Sequence, residues 1–141
     1  MKISEILSTK GADVVTMAPE ATIRDLVDVM AQHNIGAVIV SADGEAIEGI
    51  VSERDVVRHL ASIPSLEGTP VRAIMTAVVQ TTTLGNSVDG LRRQMTDARV
   101  RHVPVIEDGR LVGIVSIGDV VKSSIDELEF ERDQLSKYVS Q

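Results

Sequence analysis

Chemistry in this sequence rests on two pairs of serine and aspartate. Ser52 and Asp55 lie in GIVSERDVV, which begins at Gly49; Ser116 and Asp119 lie in GIVSIGDVV, which begins sixty-four residues later at Gly113 and is identical at seven of nine positions. Ser-x-x-Asp at the end of an apolar run is a capping box. The Ser hydroxyl accepts from the backbone N–H three residues on, and the acid favours the positive end of the helix. The same arrangement suits a second purpose. A strand that ends at a helix start presents unpaired N–H groups to a phosphate, a carboxylate there can accept both hydroxyl hydrogens of a ribose diol, and a glycine lets a backbone approach closely. Capping accounts for the Ser and the acid. It does not account for Gly-Ile-Val ahead of both, nor for Asp in place of the usual Glu or Gln.

Other chemistries find little support. His33, His59 and His102 belong to separate elements, cysteine is absent, and no paired His or Cys spacing marks a metal site. No phosphate-binding glycine loop or Ser/His/Asp set suggests an enzyme, and a Ser sitting in a cap without a base beside it is a poor nucleophile. A net charge of −7 disfavours a general grip on nucleic acid, whose affinity needs many cationic contacts. Phe130 and Tyr138 are the only aromatics, so nothing before residue 130 could stack a base on a ring. Ten of the fourteen basic residues are Arg, whose planar fork suits phosphate and carboxylate. The absence of cysteine suits a reducing compartment. The start MKISEILSTKG has no apolar signal core, and no run approaches the roughly 18 apolar residues of a membrane span. A soluble, cytoplasmic protein without a membrane partner is expected.

The elements that must position the two pairs are themselves doubled. Ile3 to Ser8 is echoed by Val71 to Thr76 as a short amphipathic turn, and Val14-Val15-Thr16 by Val79-Gln80-Thr81 as a short β-branched strand. Thr22 and Ser87 are good N-caps. The first opens a helix whose buried face should hold Ile23, Leu26, Val27, Met30 and Ala31; the second keeps Val88, Leu91 and Met95 but puts Arg92 where the first has Val27. Strands follow at Ile35 to Val40 and Arg101 to Ile106, then hairpin turns at Asp43-Gly44 and Asp108-Gly109, then return strands at Ile47 to Val51 and Leu111 to Val115. The unit is helix, strand, helix, strand, strand, helix, twice. Repeats at 1–61 and 71–125 are separated by a linker at 62–70 rich in Pro, Gly and Ser, with an acidic helical segment at 126–141. Neither repeat alone buries enough apolar surface, so the pair should pack as one α/β globule.

Paired units with a Gly-hydrophobic-hydrophobic-Ser-x-x-Asp signature, each preceded by a strand such as Arg101-His-Val-Pro-Val105 and an Asp-Gly hairpin, resemble CBS domains, named from cystathionine β-synthase. The resemblance covers residues 1 to about 125 and implies a pseudo-two-fold module, often called a Bateman module, with two clefts between the repeats. In that family the clefts take adenosyl compounds: AMP, ADP, ATP, S-adenosylmethionine or a dinucleotide such as NAD. The resemblance implies one cleft built from Ser116 and Asp119 with Val14, Val15, Ile35 and Gly36 against the adenine and Lys10 nearby. It implies another built from Ser52, Arg54 and Asp55 with Val79, Val100 and Arg101, and His102 close to a ligand. Arg54 and Arg101 are then phosphate contacts. The repeats also depart from each other: Gly118 stands where the first has Arg54, and Ile39 where the second has Pro104, so the clefts should differ in affinity, with phosphates held harder beside Arg54.

In the last helix Val121, Ile125, Leu128, Arg132, Leu135 and Val139 alternate by four and three, a seam for another helix that Arg132 interrupts. It either folds back on its own module or meets a second copy. The resemblance favours a homodimer, with Phe130 off the seam as an additional contact. The leading expectation is a regulatory module, not an enzyme, that senses an adenine nucleotide and signals to a partner protein. A purely structural dimer with empty clefts is the alternative, followed by a nucleotide-processing enzyme.

Overall fold

The computed structural model describes residues 1–140; Gln141, the end of the expected acidic segment, lies outside them. The elements run α1 (Ile3–Lys10), β1 (Thr16–Met17), α2 (Ile23–His33), β2 (Ala37–Val40), β3 (Gly49–Ser52), α3 (Glu53–His59), a 3-10 turn at Val71–Ala73, α4 (Val88–Ala98), β4 (His102–Glu107), β5 (Arg110–Ser116) and α5 (Ile117–Val139). Every helix named from a cap in the sequence begins at that cap. Thr22 Oγ1 accepts from Asp25 N at 3.1 Å and Ser87 Oγ from Gly90 N at 2.9 Å. In α2 the buried face is Ile23, Leu26 and Met30, narrower than expected. Val27 and Ala31 face solvent, because the helix covers a sheet only three short strands wide. Arg92, the counterpart of Val27, is accordingly an exposed position, ion-paired to Asp89 at 2.8 Å.

One sheet has the order β1-β2-β3, with β1 parallel and β3 antiparallel to β2; the other is the β4-β5 hairpin. The second hairpin turns through Asp108 and Gly109, both at positive φ (52° and 76°), the two-residue turn whose twist matches paired strands. Two expected strands are corrected. The first edge strand is Thr16–Met17 in place of residues 14–16. The run Val79 to Thr81 forms no strand, and only Thr82 bridges Val105. Thr82 N donates to Pro104 O and Ile106 N to Thr82 O. Continuing that parallel ladder towards Gln80 would need an N–H at residue 104, which proline lacks. In the first repeat Ile39 occupies this place and pairs with Thr16.

The two cores are cross-built. Ile3, Ile6 and Leu7 of α1 pack with Val88, Leu91, Met95, Val103, Val105 and Val115 of the second repeat. Val71 and Ile74, which open the second repeat in sequence, pack with Ile23, Leu26, Val38, Val40 and Val51 of the first. This exchange gives both motif glycines a use. A Cβ on Gly49 would lie 2.5 Å from Met75 Sδ and 2.9 Å from the Thr76 carbonyl; one on Gly113 would lie 2.6 Å from Leu7 Cδ1. Close approach does occur at these glycines, but the neighbour is the exchanged segment of the protein.

Helix α5 does not fold back. Only Val120 and Ser123 are buried, and from Ile125 on the side chains face solvent. No helix among the described residues is long and apolar enough to cross a membrane.

Candidate functional site

Both motifs form complete capping boxes. Ser52 N donates to Asp55 Oδ2 at 2.8 Å, Asp55 N donates to Ser52 Oγ at 3.3 Å, and Ser52 Oγ donates to Asp55 Oδ2 at 3.1 Å. Ser116 N donates to Asp119 Oδ2 at 2.8 Å and Asp119 N to Ser116 Oγ at 3.2 Å. The two diverge in what lies beyond the cap.

Beside Ser52 and Asp55 is a cleft of about 350 Å³ with one wall from each repeat. Its size is in the range of small-molecule sites, roughly 300–1,000 Å³. From the first repeat come Gly36, Ala37 and Ile50 and the sequence from Ser52 through Asp55, with Arg58 one helical turn beyond Arg54. From the second come Val78, Val79 and Gln80, and the passage Arg99 to His102 that joins α4 to β4. The surface is aliphatic at Ile50, Val78, Val79 and Val100 and cationic at its arginines. Both hydrogen bonds reaching the Asp55 carboxylate fall on Oδ2. Among the described residues no donor reaches Oδ1, so that oxygen is open to a hydroxyl. His59 Nδ1 donates to Asp55 O at 2.7 Å and steadies the helix beneath.

Beside Ser116 and Asp119 the cap carboxylate is engaged by Lys10. Its Nζ donates to Asp119 Oδ2 at 2.7 Å and to Ile114 O at 2.6 Å. Burial pushes the Asp119 carboxyl up, but the Lys10 hydrogen bond and the Ser116 backbone N–H outweigh it, and the pKa ends below its ordinary value.

Ser52, Arg54, Asp55, Val79, Val100, Arg101 and His102 therefore share one cleft. Gly36, expected on the Ser116 side, lines this same cleft, since its carbonyl accepts from Glu53 N at 3.0 Å. A Cβ there would meet Glu53 Oε1 at 2.7 Å, with His102 Cε1 of the other repeat at 3.7 Å, so this corner of the cleft has no room for a larger residue unless Glu53 moves. Val15 and Ile35, expected against an adenine, pack on the first core, and Val14 is half-buried beside them in sequence. Arg58 and Arg99 escaped the sequence reading. The four-residue spacing from Arg54 was a usable sign for Arg58; nothing in the spacing pointed to Arg99. His102 is half-buried, and its pKa is pulled below the ordinary value by burial first and then by Lys10, against the opposing charges of Glu53 and Asp119.

The CBS domain profile matches residues 3–62 and again residues 71–126. The chain belongs to the CBS domain family. A mitochondrial CBS domain-containing protein of Arabidopsis thaliana is 37% identical, with 97% of this chain aligned to 71% of that protein. Among solved structures, a CBS-domain protein of Agrobacterium tumefaciens is 41% identical with a TM-score of 0.83, covering 88% of this chain and 99% of that one. A CBS domain pair solved in complex with 5-methylthioadenosine and S-adenosyl-L-methionine superposes with a TM-score of 0.79 at 23% identity, covering 90% and 98%, a likeness of fold. The chain is thus a tandem CBS pair with a long C-terminal helix.

Proposed function

We propose that this CBS pair is a regulatory module that binds an adenine nucleotide (AMP, ADP, ATP or NAD) in the Ser52 cleft and passes its occupancy to a partner protein. The observation that carries the reading is Asp55. Its carboxylate is fixed by Ser52 through one oxygen, the other accepts from no donor among the described residues, and Asp55 lines a partly aliphatic cleft in the size range of small-molecule sites. Such a carboxylate can accept from a ribose diol, with Val79 and Val100 against the base. A related pair solved with two adenosyl compounds supports the same ligand class. Because the walls come from different repeats, a ligand touching both favours one spacing of the repeats, and it shifts that equilibrium only by its differential affinity. Thermal-shift and calorimetric titration with these nucleotides and S-adenosylmethionine test the reading. A binder at 100 times its Kd should add about 2.7 kcal/mol of stability, and no shift with any of them would refute it.

We also propose that a second copy covers the apolar side of α5. Val121, Ile125, Leu128, Leu135 and Val139 fall within one stripe and are about half exposed or more, an unusual display for a helix of this length. Light scattering should give a dimer, and Leu128→Glu combined with Leu135→Glu should shift its dissociation constant upward at least tenfold. A monomeric wild-type protein at 100 micromolar, about the working upper end of such measurements, sinks this proposal.

A further inference from the structure

We propose that the Ser52 cleft selects nucleotides carrying two or more phosphates and rejects adenosyl sulfonium compounds, because four arginines from opposite walls face it without carboxylate partners. The proposal rests on the adenine-nucleotide reading above.

The chain has more acidic than basic residues, 21 against 14, so a free guanidinium is not the expected condition. Arg24, Arg72, Arg92, Arg93 and Arg132 are each in an ion pair, and Arg110, exposed at the second hairpin turn away from the cleft, is in none. The remaining arginines, Arg54, Arg58, Arg99 and Arg101, all line the one cleft. Among the described residues none of the four has a carboxylate within 4.0 Å. Glu53 and Asp55 are the acids of the cleft, leaving it two positive charges in excess.

The arginines come in two pairs. Arg54 and Arg58 are one turn apart on α3, and Arg99 and Arg101 flank Val100 on the facing wall. Each guanidinium is a rigid fork matched to the oxygens of a phosphate, and a single phosphate has too few oxygens to satisfy four of them. A diphosphate or triphosphate chain offers a separate anionic group to each wall. A sulfonium brings a positive charge into a field already positive.

Arg99 supplies an independent indication. It closes α4 in the left-handed region at φ 55°, where its counterpart closing α2 is Asn34 at φ 53°. Asn is a natural choice for that backbone, and Arg is not. A residue held in a sparsely populated conformation at a cleft directs attention to what its side chain does there.

Calorimetry at fixed ionic strength with adenosine, AMP, ADP, ATP and S-adenosylmethionine tests the proposal, alongside Arg58→Gln and Arg99→Gln. These side chains are exposed, so the variants should melt with the wild type. ADP or ATP should bind at least tenfold tighter than AMP, with S-adenosylmethionine weakest. Each variant should lose at least tenfold towards ADP but less than threefold towards adenosine. Equal affinity for AMP and ADP, tight binding of S-adenosylmethionine, or unchanged ADP binding in both variants overturns the proposal while leaving the nucleotide reading intact. No binding by any of the five overturns both.

Discussion

Replacing Ile3 with Ala is expected to lower global stability by about 3 kcal/mol, within the 2–5 kcal/mol usual for emptying a core isoleucine. Ile3 is wholly buried, and it belongs to the core that holds Val88, Leu91, Val103 and Val115, residues of the repeat that begins some seventy positions later in the chain. The segment is also stitched there by its backbone. Ile3 N donates to Asn86 O at 3.0 Å, Ser4 N to Leu84 O at 3.1 Å, and Val88 N to Met1 O at 2.9 Å. Since a domain of this size is stable by only about 5–15 kcal/mol, the loss should be plain in a urea titration. Amide exchange locates it. Protection should weaken first in β4 and β5, which form the core that Ile3 fills, before it weakens in β2 and β3. A loss confined to the first repeat, or a change below about 1 kcal/mol, is inconsistent with the exchanged core.

That exchange is what the sequence concealed. Periodicity and caps are local, and they marked Thr22, Ser52, Ser87 and Ser116 because each cap bond joins residues three apart. Which core a short amphipathic segment fills is not local, and Ile3 to Leu7 would satisfy either. The glycines show the same division. Gly49 and Gly113 stood out in the motif, yet their neighbours, Met75 and Leu7, are brought there only by the exchange. Doubling did carry the fold as far as the family. It also placed most of the Ser52 cleft, because a strand end, a helix start and the facing strand come together wherever two such units pair. On the other side it named Lys10 beside Asp119, and the structure pairs the two directly. Nothing local in the sequence announces that ion pair, because its members lie more than a hundred residues apart.

The two motif aspartates should therefore fail in opposite ways when each is changed to Asn. Asp55→Asn keeps a side-chain oxygen to accept from Ser52 N, so the cap survives and melting should hardly move. It removes the charge that strengthens each hydrogen bond from a ribose diol by about 1 kcal/mol, about 2 kcal/mol for the two, and nucleotide affinity should fall by roughly tenfold to a hundredfold. Asp119→Asn should leave affinity at the Ser52 cleft within about twofold, yet cost about 1 kcal/mol of stability, because it strips the partner from a Lys10 ammonium only 32% exposed. The pH dependence identifies the cause. The Asp119 pKa lies below its ordinary value when folded, so its contribution is complete above the ordinary carboxylate range and is lost as pH falls through the depressed folded value. The gap between wild type and Asp119→Asn should close in acid, and a gap that persists there would assign the loss to packing. Should Asp119→Asn abolish nucleotide binding while Asp55→Asn spares it, the sites are reversed. The contrast has a source outside the motifs. By the register that matches Ile3 to Val71, Lys10 corresponds to Val78, which lines the Ser52 cleft and is 86% exposed. A lysine pairs with the aspartate in one copy, and in the other a valine stands at the matching position.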